Sequence, residues 1–187
     1  MNANKKIPFL LTLALLVAGY FTIGPATKAA DTLAGDSERV SQLLSDVKAE
    51  ALQLERDADD LKAFTQSSLS YGSHAAKITQ ISEHINKAGQ LLKDLNDSRA
   101  SASPWQQKAI DEIYPLLKEL DDNTEATINY LNDHQGHIHV SSEYRDYVAE
   151  NYSLATELAA LITDYVDYGK HEAEFQRLRE KLEIAKR

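Results

Sequence analysis

One long segment decides the fold: residues 142–185, which read SEYRDYVAENYSLATELAALITDYVDYGKHEAEFQRLREKLEIA. Its apolar side chains recur every three or four residues, which is the period of an amphipathic helix. They are Tyr144, Tyr147, Leu154, Leu158, Leu161, Tyr165, Tyr168, Phe175, Leu178 and Leu182. Val148, Ala155 and Ile162 widen this stripe, so we predict one long helix that packs against more than one partner helix.

Three further amphipathic segments precede the long one. The four predicted helices span about 36–68, 73–98, 104–135 and 142–185. Links of about five to seven residues favour antiparallel packing of consecutive helices. The sequence therefore predicts an all-α fold, an up-down-up-down antiparallel four-helix bundle that occupies residues 31–187 after an N-terminal signal segment.

Local signals predict where these helices begin and end. Asp36 is a good N-cap for the first helix, and Gly72 suits a left-handed turn before the second. Residues 103–106, SPWQ, combine an N-cap serine, a proline at the first helical position and a glutamine that closes a capping box. Gly136 is the predicted cap at the end of the third helix, and Pro115 predicts a kink inside it.

The fourth helix is longer than its predicted partners. Its last turns, beyond about Lys170, should either overhang the bundle or cover the segment before Asp36. Gly169 lies where the direction of the helix could change, although a single glycine can also cost about 1 kcal/mol of helix stability and mean nothing more.

The first thirty residues have the pattern of a secretory signal peptide. Lys5 and Lys6 precede the apolar run 7–18, and small residues follow up to Ala29 and Ala30, where we predict cleavage. An uncleaved anchor is the alternative, because the apolar stretch approaches the length that spans a bilayer. No second apolar stretch follows, so we expect no membrane association beyond this N-terminal segment.

Composition narrows the class of protein. The chain has no cysteine, which excludes disulfides and thiolate metal sites and favours a bacterial periplasmic or secreted location. Without Lys5, Lys6 and Lys28, 17 basic residues remain against 29 acidic ones, a net charge of −12 that argues against nucleic-acid binding. The architecture resembles, at the level of fold only, the four-helix ligand-binding domains of bacterial chemoreceptors; a shared fold does not carry function across.

Histidines form the one candidate metal site. In the predicted topology, the link between the first two helices and the link between the last two lie at the same end of the bundle. His74 would then lie near His134, His137 and His139, and imidazoles at this spacing could bind Zn, Cu or Ni. The alternative is a solvated tip whose imidazoles titrate near their free value.

A second constellation is predicted inside the bundle. Ala58, His84, Thr124 and Asn151 fall at a similar height, and they suggest either a polar layer that fixes helix register or a small polar pocket. His84 could instead face solvent. The tyrosines of the fourth helix are expected to be core and core-edge residues, with an exposed recognition stripe as the alternative.

Several chemistries are excluded at the level of motifs. The sequence contains no Glu-x-x-His pair for a di-iron site, no Cys-x-x-Cys-His for covalent haem, no methionine after Met1 and no phosphate loop or nucleophile elbow. We therefore expect no enzyme and no resident cofactor. The hypothesis is an exported, non-catalytic interaction or structural module that binds a protein partner or itself. The alternative is a periplasmic metal- or small-ligand-binding protein that uses the histidines.

Overall fold

The structure, a computed structural model, describes residues 37–136 and 141–184. It contains four α-helices: α1 (Glu38–Phe64), α2 (Tyr71–Asp97), α3 (Pro104–Asp133) and α4 (Ser142–Ile184). A short 3₁₀ helix, Arg99–Ser101, lies in the link between α2 and α3. The described residues contain no strand, and the prediction of an all-α fold with four helices is confirmed.

The helices pack as a closed ring of neighbours. α2 packs against α1 and α3, and α4 packs against α3 and α1. Leucine and isoleucine side chains from the first three helices fill the interior, as their heptad spacing predicts. The largest fully buried ones are Leu44, Leu54, Leu61, Ile78, Ile81, Ile85, Leu95, Ile113, Leu117, Leu120 and Leu131. No helix of the described residues is both long and apolar enough to cross a membrane.

The predicted starts of α1 and α2 are wrong, because in each case a serine near the predicted residue caps the helix instead. The N-cap of α1 is Ser37, whose hydroxyl accepts a hydrogen bond from the Val40 amide at 3.4 Å. Asp36 lies outside the described residues. The N-cap of α2 is Ser70, so the helix begins at Tyr71 and Gly72 lies inside its first turn without a left-handed backbone.

The start of α3 was predicted correctly. The helix begins at Pro104 after Ser103, and the side-chain oxygen of Gln106, Oε1, accepts a hydrogen bond from the Ser103 backbone amide at 2.9 Å. The end is earlier than predicted, at Asp133, with His134 rather than Gly136 as the C-cap. α3 is continuous across Pro115, whose ring lies on the exposed side of the helix.

Gln106 also joins two helices. The same side-chain oxygen accepts a hydrogen bond from the Ser37 amide at 3.1 Å, and the side-chain nitrogen donates to the Ser37 carbonyl at 3.0 Å and to the Ser41 hydroxyl at 2.9 Å. One fully buried amide therefore connects the first turns of α1 and α3. A helix start leaves backbone groups without partners inside the helix, and Gln106 bonds to such groups. These hydrogen bonds offset the cost of burying the polar side chain of Gln106.

The last part of α4 extends past its neighbours. α4 has 43 residues, against 27 in α1 and 30 in α3. From residue 171 onward its described side chains are exposed or half-buried. We call residues 171–184 the overhang; at ~1.5 Å per residue the overhang is about 20 Å long. The segment before Asp36, which the overhang was alternatively expected to cover, lies outside the described residues.

Candidate functional site

The histidine end differs from the exposed cluster that we expected. His74 lies in the first turn of α2, and its side chain is buried rather than exposed. Its Nδ1 is 2.9 Å from the Tyr144 hydroxyl, and its ring packs edge-on against Phe64 and Tyr144. Burial raises the pKa of Tyr144 well above its usual range. In this position His74 connects α2 to α4.

His134 lies at the same end of the bundle, as predicted, but it is exposed. Its ring stacks on Tyr130 with ring centres 4.1 Å apart, and its Nδ1 is 3.0 Å from the Tyr130 carbonyl oxygen. Tyr130 in turn stacks on Tyr144, so an aromatic cluster separates His134 from the buried His74.

The other two histidines of the predicted metal site, His137 and His139, lie outside the described residues. Within residues 37–136 and 141–184, no three His, Asp or Glu side chains are arranged to hold a metal ion. The metal hypothesis therefore depends on His137 and His139 and stays a prediction.

The predicted polar layer is present between α3 and α4. The Thr124 hydroxyl donates to Asn151 Oδ1 at 2.7 Å, and Asn151 Nδ2 donates to the Thr127 hydroxyl at 2.9 Å. All three side chains are fully buried. Both hydrogen bonds join a threonine of α3 to Asn151 of α4, so a shift of α4 along α3 would break them and leave buried polar groups unpaired. This geometry favours the interpretation of a register-fixing layer.

His84 does not join that layer. Its Nδ1 is 2.5 Å from Glu50 Oε2 and its Nε2 is 3.5 Å from Asp57 Oδ2, both on α1. Lys77 forms ion pairs with Asp57 and Asp60 at 3.1 and 3.0 Å. Asp57 is buried in the interface between α1 and α2, so its contacts with Lys77 and His84 offset the energetic cost of burying a carboxylate.

The tyrosines of α4 are mostly core-edge residues, in agreement with the first of our two interpretations. Tyr144 is buried, whereas Tyr147, Tyr152 and Tyr165 are half-buried. The Tyr165 hydroxyl donates to Glu112 at 2.6 Å, and partial burial together with this carboxylate raises the pKa of Tyr165 to about 12.

Tyr168 is 51% exposed and belongs to a different surface. It is followed on α4 by Phe175, Leu178 and Leu182, which are 60%, 47% and 64% exposed. Large apolar side chains that cluster on an exposed surface are typical of an interaction site. The overhang together with Tyr168 is thus the candidate functional site.

Trp105 anchors this surface to the bundle. Its ring packs edge-on against Tyr168 with ring centres 5.4 Å apart. A methyl group added at Gly169 would lie 2.7 Å from Trp105 Cη2, so the ring can pack here only against a glycine. Beside this contact lies a groove of about 340 Å³, lined by residues that include Leu44, Val166 and Lys170.

The sequence pattern did not indicate the roles of Trp105 and Gly169. Gly169 is an isolated glycine inside a strongly helical pattern, which is a signal of close packing as well as of a bend. Its partner lies 64 positions earlier in the sequence, so periodicity along one helix could not identify it.

Comparisons of the chain with known protein families, with curated proteins and with solved structures gave no match.

Proposed function

We propose that this protein is an exported, non-catalytic helical module of the bacterial envelope, in the periplasm or outside the cell. It binds a protein partner or a second copy of itself through Tyr168 and the overhang. One observation carries the proposal: three large apolar side chains, Phe175, Leu178 and Leu182, are 47–64% exposed on a helix whose preceding turns pack into a core.

The contrast with the rest of the chain supports this function. The inward stripe of α4 is buried by the other helices from Tyr144 to Val166. Scattered exposed leucines are ordinary on protein surfaces, but apolar residues repeated at helical spacing are typical of a helix that docks on another helix. The signal-peptide pattern and the absence of cysteine support export, and the absence of catalytic motifs supports a non-catalytic role.

Site-specific photo-crosslinking in growing cells tests the proposal. A photoreactive amino acid in place of Leu178 should give protein adducts, and the same substitution at the exposed Glu83 on α2 should give none. Adding Phe175→Ser should abolish the Leu178 adducts, because it removes the neighbouring apolar contact. If both positions crosslink alike, or neither does, the overhang is not an interaction surface.

A further inference from the structure

The exposed apolar residues of α4 follow a heptad pattern. Tyr168, Phe175 and Leu182 are spaced seven residues apart, with His171 and Leu178 at the intermediate positions. This is the a/d spacing of a coiled coil, over two heptads. We call these five residues the seam.

The seam and the core-facing stripe lie on different faces of the helix. Phe175 follows Val166 by nine residues, and Leu178 follows Gly169 by nine. At ~100° per residue, nine residues rotate the side chain by about 180°. Since Val166 and Gly169 face the bundle, Phe175 and Leu178 face away from it, and a helix outside this bundle is required to cover them.

We propose that a second copy of the chain covers the seam, with the two overhangs antiparallel. This inference rests on the proposed function and names the partner. In the antiparallel register, Phe175 packs against Leu178 of the second copy, and Leu182 packs against its His171. Symmetry repeats both contacts, so every described position of the overhang seam has a partner.

The charges beside the seam favour this orientation. In an antiparallel pair, each flank of the seam meets the same flank of the other helix, so Glu174 lies opposite the second copy's Lys181 and Glu172 lies opposite its Arg179. Both combinations are attractive, and symmetry gives each twice. Arg179 is free to turn outward, because its contact with Glu183 in the same helix is long, at 3.9 Å.

A parallel pair is less favourable. It would place Glu174 opposite the second copy's Arg179, which is attractive, but Asp167 opposite its Glu172, which is repulsive. It would also bring two acidic bundles side by side. The antiparallel pair instead places the bundles at opposite ends, about 20 Å apart.

The small size of the seam sets the expected strength. Two heptads bury less than the roughly 1,200 Å² of a stable protein interface, so the dimer should dissociate on dilution, with a Kd of about micromolar or weaker. His171 in the seam lowers the stability further and helps to specify the register, as polar residues at core positions of coiled coils do.

Sedimentation equilibrium on residues 31–187, the chain without the predicted signal segment, tests this inference. The wild-type protein should show a concentration-dependent monomer–dimer equilibrium. Phe175→Ser combined with Leu178→Ser should weaken it at least tenfold while the thermal melt stays the same, because both side chains are exposed. The matched control is Lys93→Ser on the exposed face of α2, which should leave the monomer–dimer equilibrium unchanged.

Charge reversal tests the orientation. Glu174→Lys and Lys181→Glu should each weaken self-association, and an equimolar mixture of the two variants should form a heterodimer at least as tight as the wild-type dimer. A parallel pair predicts no weakening by Lys181→Glu and no gain on mixing. A wild-type chain that stays monomeric at the highest concentration overturns the second copy as partner, whereas the crosslinking at Leu178 tests the interaction surface independently.

Discussion

At the scale of single residues, the buried Asp121 is the clearest departure from a regular bundle. The residue is only 9% exposed, and its Oδ1 is buried without a hydrogen-bond donor in the described part of the chain. Burial, and the nearby charges of Asp122 and Glu125, raise the pKa of Asp121 to about 6. Above that pH the folded state contains an ionised carboxylate that would be better solvated in the unfolded chain.

The raised pKa of Asp121 determines how this residue affects the stability of the fold at each pH. Because the folded state binds the proton more tightly than the unfolded state, the contribution of Asp121 is most favourable at low pH and is lost as the pH rises through about 6. We expect Asp121→Asn to raise the free energy of unfolding by about 1–3 kcal/mol at pH 7.5 and by little at pH 4.5.

Urea denaturation of both proteins at the two pH values measures this difference. Asp59→Asn, on the exposed face of α1, is the matched control and should show no such pH-dependent gain. An equal loss of stability at both pH values in Asp121→Asn would mean that the carboxylate makes contacts that an amide cannot replace.

At the scale of elements, α3 and α4 approach each other closely at Gly169, two residues before the overhang begins. Replacing a glycine inside a helix by alanine normally stabilises the helix by about 0.5–1 kcal/mol. At Gly169 we expect the opposite, a loss of about 1–2 kcal/mol, because the new methyl group would overlap the Trp105 ring.

Trp105 is the single tryptophan of the chain, so its fluorescence reports this displacement directly. Gly169→Ala should shift the emission to longer wavelength as the ring becomes more exposed. Gly72→Ala is the control: its methyl group would lie 3.7 Å from the Ser70 hydroxyl oxygen, an ordinary contact, so stability should rise slightly and the emission should not move. An unchanged emission in Gly169→Ala would show that the ring does not depend on the glycine.

At the scale of the whole molecule, the histidine end and the overhang lie at opposite ends of α4. Calorimetric titration with Zn, Cu and Ni at pH 7 and pH 5.5 therefore tests the metal hypothesis separately from the interaction surface. If the hypothesis holds, binding at pH 7 is lost at pH 5.5 as the imidazoles protonate.

His137→Ala combined with His139→Ala should abolish that binding, whereas His171→Ala on the overhang should not affect it. The buried His74 already contacts Tyr144, so its main role is structural. His74→Ala should therefore lower the free energy of unfolding and have a smaller effect on metal affinity. Metal affinity that persists without His137 and His139 would contradict the predicted site.

The number and order of the helices, and the start of α3, followed from the sequence alone. Periodicity reports which side of a helix is apolar, and the hydrogen bond from the Ser103 amide to the Gln106 side chain joins groups only three residues apart. The register-fixing role of Asn151 was also foreseeable, because a polar residue interrupts an otherwise apolar stripe.

Only the tertiary structure decided which side chains the candidate site combines. His74 is a buried partner of Tyr144 because the fold brings the first turns of α2 and α4 together, and this contact joins residues 70 positions apart in the sequence. The apolar residues 175, 178 and 182 follow the stripe in steps of three or four residues, yet they are exposed. α4 extends past its neighbours, and Phe175 and Leu178 lie about 180° around the helix from Val166 and Gly169, which face the bundle. Periodicity is a property of one helix, whereas burial depends on which of its faces the neighbouring helices cover and on where those helices end, and that is the physical reason for the difference.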